Sequence, residues 1–167
     1  IFNSLVKIKD IDGRLEHVRT FSNNVKVYVD FAHTPDALSK ALAVIKNYQG
    51  NKVSLVFGCG GERDEAKRFT MGNIASKYAK KIYITDDNPR NESPDKIRRA
   101  ILAGCPDAKE IGDRRKAISL AVSELSPGDI LVIAGKGHET GQIYNNKIKP
   151  FDDRDEVKKA VIFGRKK

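Results

Sequence analysis

The sequence predicts an α/β fold: a doubly wound, mostly parallel Rossmann-like sheet with helices on both faces. Segments with strand character alternate with segments of helical periodicity, which is typical of layered α/β domains. The near-continuous apolar run Ile130–Ala134 suits a strand covered on both faces, as in a parallel sheet. A length of 167 residues, 40% of them hydrophobic, is enough for one domain with a substantial core.

Composition and charge limit the classes of function. No apolar run reaches the length of a membrane span, and the first residues do not have the pattern of a signal peptide. Cys59 and Cys105 are too few for a disulfide framework, so a reducing cytoplasm is the expected compartment. The net charge of +9 comes from Lys and Arg spread along the chain without a nucleic-acid-binding motif. Anionic small ligands are therefore favoured over nucleic acid as partners.

Residues 1–24 are expected to form an entry arm or linker, and residues 25–167 the domain itself. A strand candidate at residues 5–8 is followed by a segment without helical periodicity. The chain begins with Ile1, and we expect it to be part of a longer protein. The alternating Val25, Val27 and Val29 predict the first strand of the domain.

Two strand–helix units follow. Thr34 and Pro35 suit the N-cap and the first position of a helix. The predicted buried face of that helix consists of Leu38, Ala41, Leu42, Ile45 and Tyr48. The strand Val53–Phe57 then runs into Gly-Cys-Gly-Gly at residues 58–61. The predicted buried face of the second helix consists of Met71, Ile74, Ala75 and Tyr78.

The second half of the chain repeats the alternation. Residues 82–84, 108–111 and 130–134 predict strands, while Ser93 and Asp113 precede predicted helices. Asn145-Asn146, between residues 142–144 and 147–149, predicts a hairpin. A last helix from about Asp153 has a predicted buried face of Val157, Ala160 and Val161.

Polar loops follow four of the predicted strands, at residues 30–33, 58–61, 85–90 and 135–139. Ligands of such folds bind outside the carboxyl ends of the strands, so the four loops predict one site. The glycine run could approach a ligand or an anion closely, but a plain tight turn explains it equally well. It is neither a Walker A loop nor a complete GxGxxG fingerprint. The sequence leaves two roles open for His33: contact with a ligand, or a capping or packing role.

The loop 85–90, Thr-Asp-Asp-Asn-Pro-Arg, has the most distinctive chemistry. Pro89 restrains the backbone and would aim Asn88 and Arg90 in set directions, although Asp, Asn and Pro are also ordinary turn residues. In the loop 135–139, Glu139 can receive an ammonium group. His138 and Glu139 are neighbours in this loop, and adjacent loop residues rarely bind the same metal ion. Because the chain also has only three histidines, no metal site is expected.

The four loops together closely resemble the C-terminal domain of the Mur ligases. The matching segments are residues 30–38, 58–64, 86–90 and 135–139, and the resemblance runs from about Gly13 to the final helix. It implies an ATP-dependent amide (C–N) ligase of cytoplasmic peptidoglycan synthesis. In this family ATP phosphorylates the carboxylate of a UDP-MurNAc-peptide, and an incoming amine attacks the acyl phosphate.

The resemblance also implies roles for individual residues. Asp30 would bind the ATP ribose, Arg14 the phosphates, and His33 would lie beside the nucleotide. The residues that would hold an incoming meso-diaminopimelate are Arg68, Asp87, Asn88, Pro89, Arg90, Gly135 and Glu139. Diaminopimelate is lysine with an additional carboxylate, which the Arg90 guanidinium can bind with two hydrogen bonds. The acceptor of the diamino acid would be UDP-N-acetylmuramoyl-L-alanyl-D-glutamate.

The sequence departs from the family in places. Phe31 stands where tyrosine is common, and Ala66 and Phe69 replace the usual glycine and proline around Arg68. The family's P-loop, which with its central domain largely holds ATP and Mg²⁺, has no counterpart here, so we expect no catalytic residue and no turnover from this chain alone. The alternatives are a stand-alone Rossmann-type nucleotide-binding module without ligase activity and, third, a basic nucleic-acid-binding domain.

Overall fold

A six-stranded sheet forms the centre of the structure, a computed structural model that describes residues 12–49 and 52–161. The strands are β1 Glu16–Thr20, β2 Lys26–Asp30, β3 Val53–Phe57, β4 Lys81–Ile84, β5 Lys109–Glu110 and β6 Ile130–Ala134. Their order across the sheet is β1-β2-β6-β3-β4-β5. All neighbouring pairs are parallel except β1 with β2. The predicted mostly parallel sheet is confirmed.

Helices cover both faces of this sheet, as predicted. They are α1 Pro35–Gln49, α2 Ala66–Tyr78, α3 Pro94–Leu102, α4 Arg114–Ser123 and α5 Asp153–Lys159. On one face, Leu42 of α1, Met71 of α2 and Ile97 of α3 belong to one buried apolar cluster. Ile118 of α4 and Val157 of α5 belong to the cluster on the other face. Because both faces are covered, every residue of the central strands β3 and β6 is buried.

The predicted hairpin is confirmed and supports the loop 85–90. Its strands are β7 Gly141–Tyr144 and β8 Lys147–Pro150. Asn145 and Asn146 between them have φ values of 46° and 59°, the left-handed conformation that a tight hairpin turn requires. The backbone N–H of Arg90 donates to the Ile143 carbonyl at 2.9 Å, and the N–H of Asn145 donates to the Arg90 carbonyl at 2.8 Å. The hairpin therefore fixes the backbone at Arg90.

The structure differs from the sequence predictions at both ends of the domain. Strand β1 lies within the predicted arm of residues 1–24, and a bulge between His17 and Arg19 breaks its alternating pattern. The predicted boundary at residue 25 remains a prediction. The prediction that Val161 is buried is wrong: it is 61% exposed, because α5 ends at Lys159. The strand candidate at residues 5–8 and the side chain of Tyr48 lie outside the described part.

Candidate functional site

A cavity of about 440 Å³ lies where the predicted loops meet at the carboxyl edge of the sheet. Six of the site residues predicted from the sequence line it: His33, Asp87, Asn88, Arg90, Gly135 and Glu139. A second cavity, of about 300 Å³, lies at the start of β4 beside Lys80 and Lys81, away from all four loops. The first cavity is therefore the candidate site.

The glycine run 58–61 packs directly on the loop 85–90. A Cβ atom at Gly58 would lie 2.1 Å from the Thr85 carbonyl oxygen, and one at Gly61 would lie 2.0 Å from that of Pro89. The N–H of Gly61 also donates to the Asn88 carbonyl at 2.9 Å. Only glycine permits this approach of two backbones. Contact between loops thus accounts for these glycines, and their contact with a ligand remains a prediction.

Arg90 lines the cavity, and one edge of its guanidinium has no hydrogen-bond partner within the described residues. Its φ of 55° is uncommon for a residue other than glycine and is held by the hairpin. Nη1 donates to the carbonyl oxygens of Gly61, at 2.8 Å, and Asn88, at 3.4 Å. Within residues 12–49 and 52–161, Nε and Nη2 make no hydrogen bond to the protein. These two groups form the edge that binds a carboxylate with two hydrogen bonds.

The amide group of Asn88 is fixed in one orientation. Its Oδ1 accepts from the Lys136 ammonium and from the N–H of Ile143, both at 3.0 Å. Because both partners can only donate, the atom that faces them must be the oxygen. Nδ2 donates to Oε2 of Glu139 at 3.0 Å. Asn88 therefore presents a donor on the side of the cavity.

Two carboxylates supply the acceptors of the site. Burial opposes the charge on Glu139, but the hydrogen bonds of Lys136 and Asn88 and the charges of Lys136 and Arg114 together outweigh it, and the pKa of Glu139 is below its usual value. For Asp87 burial dominates and raises the pKa, although Arg114 and Lys136 act in the opposite direction. Glu139 is 36% exposed and remains ionised at neutral pH, so it can receive an ammonium group.

Arg68 and Pro89 are not among the described residues that line the cavity. Arg68 is only 2% exposed, and its Nη1 and Nη2 donate to the two carboxylate oxygens of Glu92 at 2.6 and 2.7 Å. Pro89 contributes its carbonyl to the packing on Gly61. Their predicted contacts with a diamino acid remain predictions. The sequence gives no local pattern that pairs Glu92 with Arg68, since 24 residues separate them.

The three predicted nucleotide-binding residues gather around Phe31. The Arg14 guanidinium lies 4.5 Å from the centre of the Phe31 ring, and the His33 ring lies edge-on to it at 4.6 Å. Each carboxylate oxygen of Asp30 accepts a backbone N–H at 2.7 Å, from Leu15 and from Ala32. Each oxygen retains a lone pair for a hydroxyl group, and Arg14 is exposed, so this cluster fits a ribose and an anionic group.

Lys136 and Arg114 were not predicted as site residues. Lys136 follows a buried strand and lies between two glycines, which is the only local signal of its position. Arg114 is completely buried, forms two hydrogen bonds of 2.7 Å with Asp153, and donates to the Ala134 carbonyl at 3.0 Å. No group of three or more His, Cys, Asp or Glu in the described residues could hold a metal ion. No helix in that part of the chain is long and apolar enough to cross a membrane.

Comparison with known proteins places these features in a family. The family model described as "Mur ligase, glutamate ligase domain" matches residues 13–137. The UDP-N-acetylmuramoyl-L-alanyl-D-glutamate–2,6-diaminopimelate ligase of Mesorhizobium japonicum is 51% identical over 158 residues, 95% of this chain and 33% of that protein. The ligase of the same name from Rickettsia montanensis is 49% identical over 165 residues, 96% of this chain and 34% of that protein.

A solved structure of a ligase of that name has the same fold. It superimposes with a TM-score of 0.82 and 39% sequence identity, and the match covers 94% of this chain and 33% of that chain. The present chain thus spans about a third of the length of the curated relatives that it matches.

Proposed function

This chain belongs to the Mur ligase family, and we propose that it is the C-terminal domain of an ATP-dependent amide ligase. The ligase adds meso-diaminopimelate to UDP-N-acetylmuramoyl-L-alanyl-D-glutamate in cytoplasmic peptidoglycan synthesis. This domain supplies the diamino-acid site and part of the nucleotide site. The phosphate-binding loop, the Mg²⁺ ligands and the UDP-sugar site are assigned to other domains.

The observation that supports this substrate is the arrangement of opposite charges in one cavity. The Nε/Nη2 edge of Arg90 and the Nδ2 group of Asn88 are donors, while Glu139 is an ionised acceptor. Meso-diaminopimelate carries two carboxylates and two ammonium groups and can satisfy both kinds of partner. L-lysine has no second carboxylate, so it would leave the Arg90 edge without a partner.

The proposed reaction has two steps. ATP transfers its γ-phosphoryl group to the terminal carboxylate of the UDP-linked dipeptide. An amino group of the diamino acid, once deprotonated, attacks the acyl phosphate, so that an amide forms and inorganic phosphate leaves. The residues of this chain bind and orient the substrates. Arg90 binds the distal carboxylate of the diamino acid, and Glu139 binds an ammonium group. Asp30 binds the ribose of ATP, and Arg14 binds the phosphates.

Amide formation by the complete ligase tests this function. With ATP and UDP-N-acetylmuramoyl-L-alanyl-D-glutamate, we expect kcat/KM for meso-diaminopimelate to exceed that for L-lysine by at least ~100-fold, because lysine leaves one edge of the half-buried Arg90 guanidinium unpaired. A nucleotide-binding module would give no amide, and a nucleic-acid-binding domain would bind oligonucleotides instead. Equal use of the two amino acids would contradict the proposed substrate.

A further inference from the structure

Lys136 lies at the centre of the candidate site without lining its cavity. It follows strand β6, and its side chain is 0% exposed. Its Nζ donates at 3.0 Å both to Oδ1 of Asn88 and to Oε2 of Glu139, and it lies 3.8 Å from Oδ1 of Asp87. One ammonium group thus joins the loop 85–90 to the loop 135–139 at three site residues. A lysine is rarely buried to this extent unless such partners surround it.

The positive charge of Lys136 offsets the cost of burying two neighbouring carboxylates, those of Asp87 and Glu139. The charge of Glu139 raises the pKa of Asp87, as a like charge does. The other cation that acts on both is Arg114, but its guanidinium already shares two hydrogen bonds with Asp153. Lys136 is therefore the cation whose direct hydrogen bond holds Glu139 in its charged form.

The hydrogen bonds of Lys136 also determine which groups the site offers to a ligand. With Oδ1 of Asn88 held by Lys136 and Ile143, the amide cannot rotate without placing donors against donors. With Oε2 of Glu139 held by Lys136 and Asn88, Oε1 remains for an ammonium group. The donor at residue 88 and the acceptor at residue 139 are thus both consequences of one buried cation.

We propose that Lys136 is a positioning residue for the diamino acid: it orients Asn88 as a donor and Glu139 as an ionised acceptor. The inference rests on the function proposed above and adds a residue that does not itself touch the substrate. It makes binding of the amino acid, and not binding of ATP, depend on a side chain behind the cavity wall.

Kinetics of Lys136→Met in the complete ligase test this role. We expect KM for meso-diaminopimelate to rise about 10- to 100-fold, with KM for ATP within about 2-fold of the original. Because Lys136 lowers the pKa of Glu139, its removal raises that pKa, while the Asn88 hydrogen bond and the charge of Arg114 still act to lower it. The acid limb of the pH profile of kcat/KM should then move to higher pH.

A double-mutant cycle shows whether Lys136 acts through Glu139. If it does, Lys136→Met combined with Glu139→Gln should be no worse than the poorer single variant. Lys109→Met is the matched control, because Lys109 also pairs with a glutamate, Glu124 at 2.5 Å, but lies away from the cavity. It should leave both KM values unchanged. Lys136→Gln retains an N–H donor without the charge and replaces Lys136→Met if that variant does not fold.

Two results separate the inference from the function on which it rests. An unchanged KM for meso-diaminopimelate and an unchanged acid limb in a folded Lys136 variant would overturn the positioning role alone. Failure of the unmodified ligase to use meso-diaminopimelate would instead overturn the proposed function, and the inference with it. If KM for ATP rises as much as KM for meso-diaminopimelate, Lys136 is a general support of the fold, and the inference is also overturned.

Discussion

Asp30 combines a structural role with a predicted role in nucleotide binding. The residue is 7% exposed, and its carboxylate accepts hydrogen bonds from the backbone N–H groups of Leu15 and Ala32. These bonds orient the carboxylate at the end of β2, beside Phe31. A role as a ribose ligand and a role as a loop cap therefore do not exclude each other, because each oxygen has a second lone pair.

Replacement of Asp30 should therefore have two measurable effects. In the complete ligase, Asp30→Ala should raise KM for ATP about 10-fold, equivalent to about 1.4 kcal/mol, and leave KM for the diamino acid nearly unchanged. In the isolated chain it should lower the free energy of unfolding by about 1–3 kcal/mol, because two buried N–H groups lose their acceptor. If only the stability changes, Asp30 is a loop cap and its assignment to the ribose fails.

Residue positions in the site were predictable where a strand end determines them. Asn88, Arg90 and Glu139 come together because β4 and β6 are parallel members of one sheet, whose carboxyl ends share an edge. Arg68 is different: its guanidinium forms hydrogen bonds with a distant carboxylate, Glu92, and no local pattern reports that contact. No local pattern reports the contact of Lys136 with Asn88 either, because Asn88 lies in another loop.

At the scale of elements, one buried ion pair joins two helices to the central strand. Arg114 begins α4 and Asp153 begins α5, and both side chains are 0% exposed. The guanidinium also donates to the carbonyl of Ala134, the last residue of β6. Since Gly135 follows directly, this pair supports the backbone of the loop that carries Lys136.

Loss of one member of this pair should be more damaging than loss of both. Arg114→Met leaves the Asp153 carboxylate buried without its partner and should lower the free energy of unfolding by about 3–5 kcal/mol. Arg114→Met combined with Asp153→Leu should recover most of that loss. The control, Lys158→Ala, breaks the exposed pair with Asp155 and should cost less than about 1 kcal/mol. Denaturant unfolding gives all three values, and a double variant as unstable as the single one would contradict this account.

The element boundaries show which physical signals a sequence carries. Apolar runs predicted β3, β4 and β6, alternating valines predicted β2, and helical periodicity predicted the helices, because burial on a regular face leaves a regular pattern. Strand β1 was missed because it is a half-exposed edge strand with a bulge. Burial of Val161 was extrapolated past Lys159, where α5 ends.

At the scale of the whole molecule, the chain carries only part of the predicted chemistry. Its sequence contains no GxxxxGK[ST] loop, the usual cradle for ATP phosphates. We therefore expect residues 1–167 alone to form no amide and to release no phosphate when all substrates are supplied. Nucleotide binding should be weak, because only Arg14, Asp30 and their neighbours are present. The complete ligase, assayed in parallel, is the control, and turnover by the isolated chain would contradict this division of labour.

In the proposed function, Arg90 selects a diamino acid by its distal carboxylate. A two-pronged, charge-assisted contact is worth about 1.5–3 kcal/mol, so Arg90→Ala in the complete ligase should lower kcat/KM for meso-diaminopimelate about 10- to 100-fold. Arg90→Lys should restore only part of it, because a single ammonium cannot form the same pair of bonds.

The ratio of kcat/KM for meso-diaminopimelate to that for L-lysine, measured before and after Arg90→Ala, tests this claim most directly. We predict that the ratio falls about 10- to 100-fold, because L-lysine has no second carboxylate that could lose its partner. If both substrates lose activity equally, Arg90 acts only by holding the loops together through the Gly61 and Asn88 carbonyls, and the claim is wrong.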